Sequence, residues 1–381
     1  YQWDALLLET GLLAIFLSPP AWRVRFSPSS PPSASALLLL RWLLFRLMFS
    51  SGAVKLGSGD PAWRSLTALR VHYETQPLPT WIGWAFHQLP SSFQTLSCVF
   101  LFSVELGMPF LVFAPRRAKR LAFGLLVLLQ ILIALTGNYA FFNWLAVALC
   151  VLLLDDASLP SWLGRRALTP ARATRPRRWP VGVLAPVAVV LLIASCLQLV
   201  FTVRRTATGV PRAAVALVEW LSPLRSVNRY GLFAVMTTRR PEIIVEGSDD
   251  GHAWRPYEFR WKPGAVGGRP RFVAPHQPRL DWQMWFAALE SCEENPWLVN
   301  FLGRLLQGEP AVLRLLATNP FPAGPPRYVR TLVYDYRFTD RPTRRRTGAW
   351  WKRELQGPYC PIVSRDMLRE TGTTTRESRQ Y

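Results

Sequence analysis

Long apolar runs, separated by short polar segments, organise the first half of the chain. Six of them approach the length of about 20 residues that a helix needs to cross a bilayer. They are Trp3–Leu17, Leu37–Leu56, Phe93–Phe113, Leu121–Leu135, Tyr139–Leu154 and Val181–Val203. The pattern predicts a polytopic α-helical membrane domain over residues 1–203. Because apolar sequence begins at Tyr1, we expect a clipped first span and an N-terminally truncated chain.

Beyond residue 240 the pattern changes to strand alternation and short helical stripes. Glu242–Glu246 and Trp254–Trp261 predict a β-hairpin around residues 247–251. Residues 296–306 and 310–317 have helical spacing, and Tyr328–Phe338 alternates again. These elements predict a soluble α+β domain over residues 241–364, built on antiparallel strands, β-sandwich-like and carrying short helices. We expect a connector over residues 204–240, a solvated loop over 341–346 and a disordered tail over 365–381.

The loop charges predict the orientation in the membrane. Cytoplasmic loops retain Lys and Arg, whereas long translocated domains are insensitive to their own charge. Residues 115–120 and 155–180 are rich in Arg, and the turn at residues 136–138 carries no positive charge. The two basic loops are therefore predicted to be cytoplasmic, and the α+β domain extracytoplasmic.

The stretch Phe272–Leu289 joins a Pro-broken polar strip to a tryptophan-bearing helix. Asp281 is expected to cap the helix, and four large apolar side chains follow at i, i+3, i+4 and i+7 from Trp282. Such a stripe usually faces a core, and in that case the preceding polar strip, His276–Asp281, is the better candidate surface. Alternatively, a partner covers the stripe itself. The candidate partner-binding residues are His276, Gln277, Arg279, Asp281, Trp282 and Trp285.

Four charged residues lie in or beside the apolar runs, where an unpaired charge is costly. We expect Arg46 and Glu105 to form an ion pair between helices, and Arg41 and Lys55 to extend to the headgroups. The alternative is a hydrated cavity in which Lys55 acts as a base.

The chain carries a net charge of +21, but its Lys and Arg residues fall in clusters between apolar runs and along the last third. Net charge alone specifies a partner poorly, so we predict no nucleic-acid binding. The sequence contains no GxSxG, Walker A, GxGxxG or HExxH motif and no Cys or His ligand spacing. We therefore predict no cofactor and no metal site. Cys292 and Cys360 could pair if their region faces an oxidising compartment.

Several long strings, in order along the chain, resemble the lipase maturation factor family of polytopic membrane proteins. They are YQWDALLLETG at residues 1–11, RLMFSSGAVKL at 46–56, HYETQPLP at 72–79, TGNYAFFN at 136–143, NRYGLFAVMTTRRPEIIVEGSDDG at 228–251 and VAPHQPRLDWQMWFAAL at 273–289. The resemblance covers nearly the whole chain. In the family the QWD string follows earlier spans, which agrees with a truncated chain.

This resemblance implies a folding factor, not a hydrolase, whose C-terminal domain engages newly made secreted lipases. It implies an endoplasmic reticulum membrane protein with a lumenal domain in eukaryotes. A bacterial member would lie in the inner membrane, with a periplasmic domain.

A second resemblance is short and supports an enzyme alternative. The string Gly52–Lys55, followed by Asp60 and Trp63, looks distantly like the membrane half of vitamin K-dependent carboxylases. It would make Lys55 the base of a membrane-embedded carboxylation or oxygenation.

Overall fold

The structure is a computed structural model, and it describes residues 1–18, 20, 32–155, 158, 179–204 and 211–367. Most of the basic segment 155–180 and residues 368–381 of the predicted tail lie outside this description. The chain separates into two compact units that interleave along the sequence. The first consists of Tyr1–Leu69, Ser91–Ala134 and Ala140–Met236, and the second of Arg70–Pro90, Leu135–Tyr139 and Thr237–Tyr381. The sequential boundaries at residues 203 and 240 stay a prediction.

The helices of the described chain are numbered here in order. They are α1 (Gln2–Leu17), α2 (Ala34–Gly57), α3 (Pro61–Arg64), α4 (Ala68–Thr75), α5 (Trp81–His87), α6 (Ser91–Phe102), α7 (Arg116–Thr136), α8 (Phe142–Val151), α9 (Val181–Arg204), α10 (Arg212–Leu221), α11 (Arg279–Ala287), α12 (Pro296–Leu306), α13 (Pro310–Leu313) and α14 (Arg341–Thr347).

Four helical segments are long and apolar enough to cross a membrane, and they indicate an integral membrane protein. They are α2, α7, α9 and the continuous segment Ser91–Phe113, which begins with α6. The other two predicted spans form shorter helices: α1 has 16 residues and α8 has 10.

Helix α2 lies at the centre of the first unit, in contact with α1, α8, α9 and the segment that follows α6. That segment forms a π-turn over Ser103–Gly107 and a 3₁₀-helix over Met108–Phe113. Pro109 lacks the N–H that a continuing α-helix would use, which accounts for the altered winding. A Cβ on Gly52 of α2 would lie 2.8 Å from the Leu106 side chain. Glycine therefore permits the close approach of this turn to α2.

The second unit is built on one five-stranded antiparallel sheet. Its strands are β1 (Arg240–Ser248), β2 (Arg255–Pro256), β3 (Tyr328–Phe338), β4 (Trp351–Pro358) and β5 (Val363–Ser364). The order is β2-β1-β3-β4, and β5 also pairs with β3. One face packs its branched residues against α11 and α12, with Ile243, Met284 and Leu302 fully buried in one core. The predicted α+β class is confirmed, and in the described chain the layer on the sheet is helical.

Two local predictions need correction. The hairpin exists, but its second strand is limited to the pairs Gly247 with Arg255 and Glu246 with Pro256. Residues 341–347 form α14 instead of a loop, because the Asp340 side chain accepts the Thr343 N–H at 2.8 Å and Gly348 ends the helix at φ 73°. The edge strand β4 was not predicted from its largely polar sequence.

Candidate functional site

Asn138 joins three sequence-distant segments of the second unit. Its side-chain nitrogen donates to the backbone oxygens of Leu78 at 3.0 Å and Arg271 at 2.8 Å. Its side-chain oxygen accepts the backbone N–H groups of Val273 at 2.8 Å and Ala274 at 3.1 Å. The side chain is almost fully buried. Three of the strings that carry the family resemblance therefore meet at one amide.

The buried side of α11 packs against the segments that contain Thr75 and Tyr139, close in sequence to Leu78 and Asn138. The indole N–H of Trp285 donates to the Thr75 backbone oxygen at 2.9 Å, and the Trp282 ring lies edge-on to Tyr139 at 6.2 Å. Tyr139 in turn donates to the Gln76 side chain at 2.7 Å. Trp282 and Trp285 therefore orient α11 by packing and, for Trp285, by a buried hydrogen bond.

Another part of the surface of α11 is exposed. Phe286 is 41% exposed although it stacks edge-on against Trp285, and Leu289 just beyond the helix is 39% exposed. Arg279 and Gln283 lie on the same side at helical spacing, and both are exposed. We call Arg279, Gln283, Phe286 and Leu289 the exposed row. It presents two apolar groups between polar neighbours on a helix whose other side is fixed.

Asp281 is not the helix cap that the sequence predicted. The cap position is Pro278, and Asp281 lies in the first turn. Its carboxylate accepts the backbone N–H groups of Trp261 and Lys262, each at 2.9 Å. Burial raises the pKa of Asp281, while these N–H groups oppose the shift by stabilising the carboxylate. Asp281 therefore fixes the loop before α11.

The candidate partner-binding residues thus separate by position. His276 and Arg279 are exposed, Gln277 is half-buried, and Asp281, Trp282 and Trp285 are buried. The expectation that Trp282, Trp285 and Phe286 all face the interior holds for the two tryptophans but not for Phe286. Binding by any of these residues remains a prediction.

The sequence analysis did not predict a buried cluster of charged residues that contacts residues 74–77. Arg240 forms an ion pair with Glu242 at 2.6 Å and donates to the backbone oxygens of Glu74, Gln76 and Pro77. Lys262 pairs with the other oxygen of Glu242 at 3.0 Å. Burial lowers the pKa of Arg240, and Glu242 counteracts that effect. The alternation of Arg240 and Glu242 in a strand, both pointing to one face, was the available signal.

In the first unit, Glu105 pairs with Lys55 and not with Arg46. The Lys55 amine lies 2.7 and 2.8 Å from the two Glu105 oxygens, and both side chains are buried. The prediction that Lys55 extends to the headgroups is therefore wrong. Arg46 and Lys55 lie about two and a half turns apart along α2. The sequence does not show which of them Glu105 reaches, because that depends on how the neighbouring span packs.

Arg46 instead pairs with Glu9 of α1. Glu9 also accepts the Tyr230 hydroxyl at 2.7 Å and the Asn228 backbone N–H at 3.1 Å. Arg41 donates to the Leu152 backbone oxygen at 2.9 Å. Each of the four predicted charges thus has a partner within the first unit.

This geometry bears on the Lys55 base hypothesis. Both Glu105 oxygens contact the Lys55 amine nitrogen, which lies 5.5 Å from the centroid of the Trp63 ring. The arrangement is that of an interhelical ion pair.

Cys292 and Cys360 form a disulfide in the second unit. The other three cysteines, Cys98, Cys150 and Cys196, are not in disulfides in the part of the chain that the structure describes.

Comparison with known proteins identifies relatives for both units. A family model described as the lipase maturation factor transmembrane domain matches residues 1–161, and one described as the lipase maturation factor C-terminal domain matches residues 226–361. No solved structure matches the chain.

Curated relatives include lipase maturation factor 2 of Gallus gallus and of Homo sapiens, each 36% identical over 96% of this chain. Lipase maturation factor 1 of Bos taurus is 37% identical over 97% of this chain. The chain spans 65%, 66% and 68% of the lengths of these three relatives. None of these matches supports the carboxylase-like alternative.

Proposed function

The chain belongs to the lipase maturation factor family, and from this premise we propose that it assists the folding or assembly of secreted lipases by binding them noncovalently. The exposed row on α11 is the observation that carries the proposal. Phe286 and Leu289 remain accessible although Trp282 and Trp285, one turn away, are buried. Apolar and Arg groups held on a rigid support are typical of the centres of protein interfaces.

The rigidity of the row reduces the entropic cost of binding. Trp285, Asp281 and Asn138 each form buried hydrogen bonds that hold α11 or the loop before it. A surface already held in its bound geometry loses little freedom when a client docks. Arg279, at the start of the row, and the exposed His276 before it would supply polar contacts that set the orientation of the client.

The orientation of α7 supports an extracytoplasmic location for this surface. The helix begins with Arg116, Arg117, Lys119 and Arg120, and its last residues, from Leu135, belong to the second unit. If the basic end is cytoplasmic, residues 135–139 at the opposite end of α7 lie on the other side of the membrane. The Cys292–Cys360 disulfide agrees with an oxidising compartment. We assign the endoplasmic reticulum lumen for a eukaryotic host and the periplasm for a bacterial one.

The proposed action is stabilisation by binding, without catalysis. A lipase that has not completed its assembly exposes apolar surface, which Phe286 and Leu289 would cover until the native contacts form. The buried Lys55–Glu105 pair serves the packing of the first unit in this proposal.

Deletion in the native host followed by complementation tests the proposal. Secreted lipase activity per unit of lipase protein is measured for the wild type and for the double variant Phe286→Ala/Leu289→Ala. We expect the double variant to reach the membrane at wild-type levels and to restore less than about a tenth of the specific activity, as for loss of interface anchors. Crosslinking in intact cells should lose the lipase adduct in parallel.

The matched control is Leu355→Ala, which removes another exposed leucine of the same unit, on β4. It should complement fully. Full complementation by the Phe286→Ala/Leu289→Ala variant would show that the exposed row is not the client surface.

A further inference from the structure

Four exposed residues of the second unit lie on or next to segments that bond to the C-terminal end of α7 and the turn after it. Helix α7 is long and apolar enough to cross a membrane, and its basic residues lie in its first turns, so Leu135 lies near its opposite end. The Thr80 hydroxyl donates to the Leu135 backbone oxygen at 2.6 Å, and Pro79 bridges to Gly137. Residue 81 therefore follows directly on a segment bonded to the end of a span.

A second segment is tied to the same place. The Asn138 side chain bonds both the Arg271 oxygen and the Val273 N–H, each at 2.8 Å. Residues 81 and 271–272 are thus tied to the end of α7 that lies opposite its basic first turns.

The side chains at this level combine aromatic and basic groups. Trp81 is 38% exposed and Phe272 39% exposed, and their rings meet edge-on at 6.2 Å. The Arg269 guanidinium carbon lies 4.9 Å above the Trp81 ring, and Arg271 is exposed beside Phe272. We call Trp81, Arg269, Arg271 and Phe272 the rim cluster.

The cluster is supported from behind by a stack of rings and guanidinium groups. Arg269 also lies 5.8 Å from the Trp350 ring, and Arg344 lies between Trp350 at 3.7 Å and Trp84 at 5.0 Å. Trp84 is buried and donates to the Thr339 oxygen at 2.9 Å. Arg269 is therefore held by stacking, which leaves its N–H groups available to a ligand.

In the part of the chain that the structure describes, neither Arg269 nor Arg271 forms an ion pair with a carboxylate. Guanidinium groups bind phosphate oxygens in a fork geometry, and Trp and Phe favour the headgroup boundary. We propose that the rim cluster is a binding site for the phosphate groups of anionic phospholipids, with Trp81 and Phe272 inserted at the edge of the acyl chains. The site would hold the second unit against the extracytoplasmic leaflet.

The proposal is tested with the full chain in bilayers containing equal parts of phosphatidylglycerol and phosphatidylcholine. Photoactivatable analogues of either lipid are crosslinked, and the adducts on residues 78–84 and 266–275 are measured by mass spectrometry. We expect the wild type to crosslink more to phosphatidylglycerol than to phosphatidylcholine. In the variant Arg269→Gln/Arg271→Gln this preference should fall about fivefold for each arginine removed, because each basic group near an anionic surface adds to binding.

The control variant Arg304→Gln/Arg314→Gln removes the same charge from two exposed positions. Arg304 lies in α12, and Arg314 directly follows α13. It should keep the wild-type preference. Equal yields from the two lipids in the wild type, or an unchanged preference in the Arg269→Gln/Arg271→Gln variant, would overturn the proposal. So would crosslinks from these segments to a protein with none to lipid, because the surface would then bind a client.

A second measurement does not depend on the arginine variants. A nitroxide is attached at Phe272→Cys or, as control, at the exposed Val299→Cys, both with Cys196→Ser. We expect the label at position 272 to be shielded from a water-soluble nickel reagent and accessible to oxygen, and the label at 299 to show the reverse. Equal nickel accessibility at both positions would place residue 272 in water and refute the site.

Discussion

The side-chain oxygen of Asn138 accepts the backbone N–H of Val273 at 2.8 Å. The two residues belong to segments 135 positions apart, a turn after an apolar helix and the loop before α11. This bond fixes the position of the polar strip, and with it the start of the exposed row. Several expectations depend on such long-range contacts.

The first prediction concerns Asn138 itself. Asn138→Ala removes four side-chain hydrogen bonds and leaves buried backbone groups unsatisfied, each costing about 1–3 kcal/mol. We expect the free energy of unfolding of the second unit to fall by about 3 kcal/mol or more. Protease resistance of the purified protein measures the change. Asn300→Ala, at an exposed position of α12, should leave it unaltered.

Adjacent residues of α11 should differ sharply in their contribution to stability. Trp285→Ala creates a cavity and removes the bond to Thr75, so the loss should be about 3–5 kcal/mol, with little folded protein recovered. Phe286→Ala should cost less than about 1 kcal/mol because the ring is 41% exposed. Thermal unfolding in detergent compares the two variants. Similar losses for both would contradict the separation of α11 into a buried, structural side and an exposed side.

The Lys55–Glu105 pair provides a test of the enzyme alternative. Lys55→Ala leaves Glu105 buried without a partner, a change that costs about 3–5 kcal/mol. The double variant Lys55→Met/Glu105→Met removes both charges, so most of the stability should return. Because it lacks the amine, this variant should also restore lipase maturation in the deletion host. Recovery of the fold without recovery of function would instead assign a chemical role to Lys55.

The Cys292–Cys360 disulfide provides a test of the compartment in which the second unit lies. Cys360→Ser opens a loop defined by a sequence separation of 68 residues, and removal of such a bond typically costs about 2–5 kcal/mol. Protein isolated from the native membrane should alkylate at Cys292 and Cys360 only after reduction. Free thiols at both positions in freshly isolated protein would contradict an extracytoplasmic second unit.

Much of the architecture could be predicted because its signals are local. The bounds of β3 at residues 328–338 and of α12 at 296–306 match the predicted segments, since two-residue and helical periodicity depend only on neighbours. The helix α14 and the strand β4 were missed because their residues are largely exposed, so no apolar periodicity marks them. Asp281 was placed at a cap because its bonds to residues 261 and 262 are not visible along the chain.

The long apolar segments, the basic clusters between them and the α+β character of the second unit can be read from the sequence, because each depends on the order of apolar and charged residues within one segment. Three relationships appear only in the folded chain: Lys55 pairs with Glu105, Asn138 joins segments near residues 78 and 273, and Phe286 is exposed beside a buried Trp285. Those relationships depend on which distant segments pack together, and side-chain geometry at the contact then selects one partner among several of suitable charge or polarity.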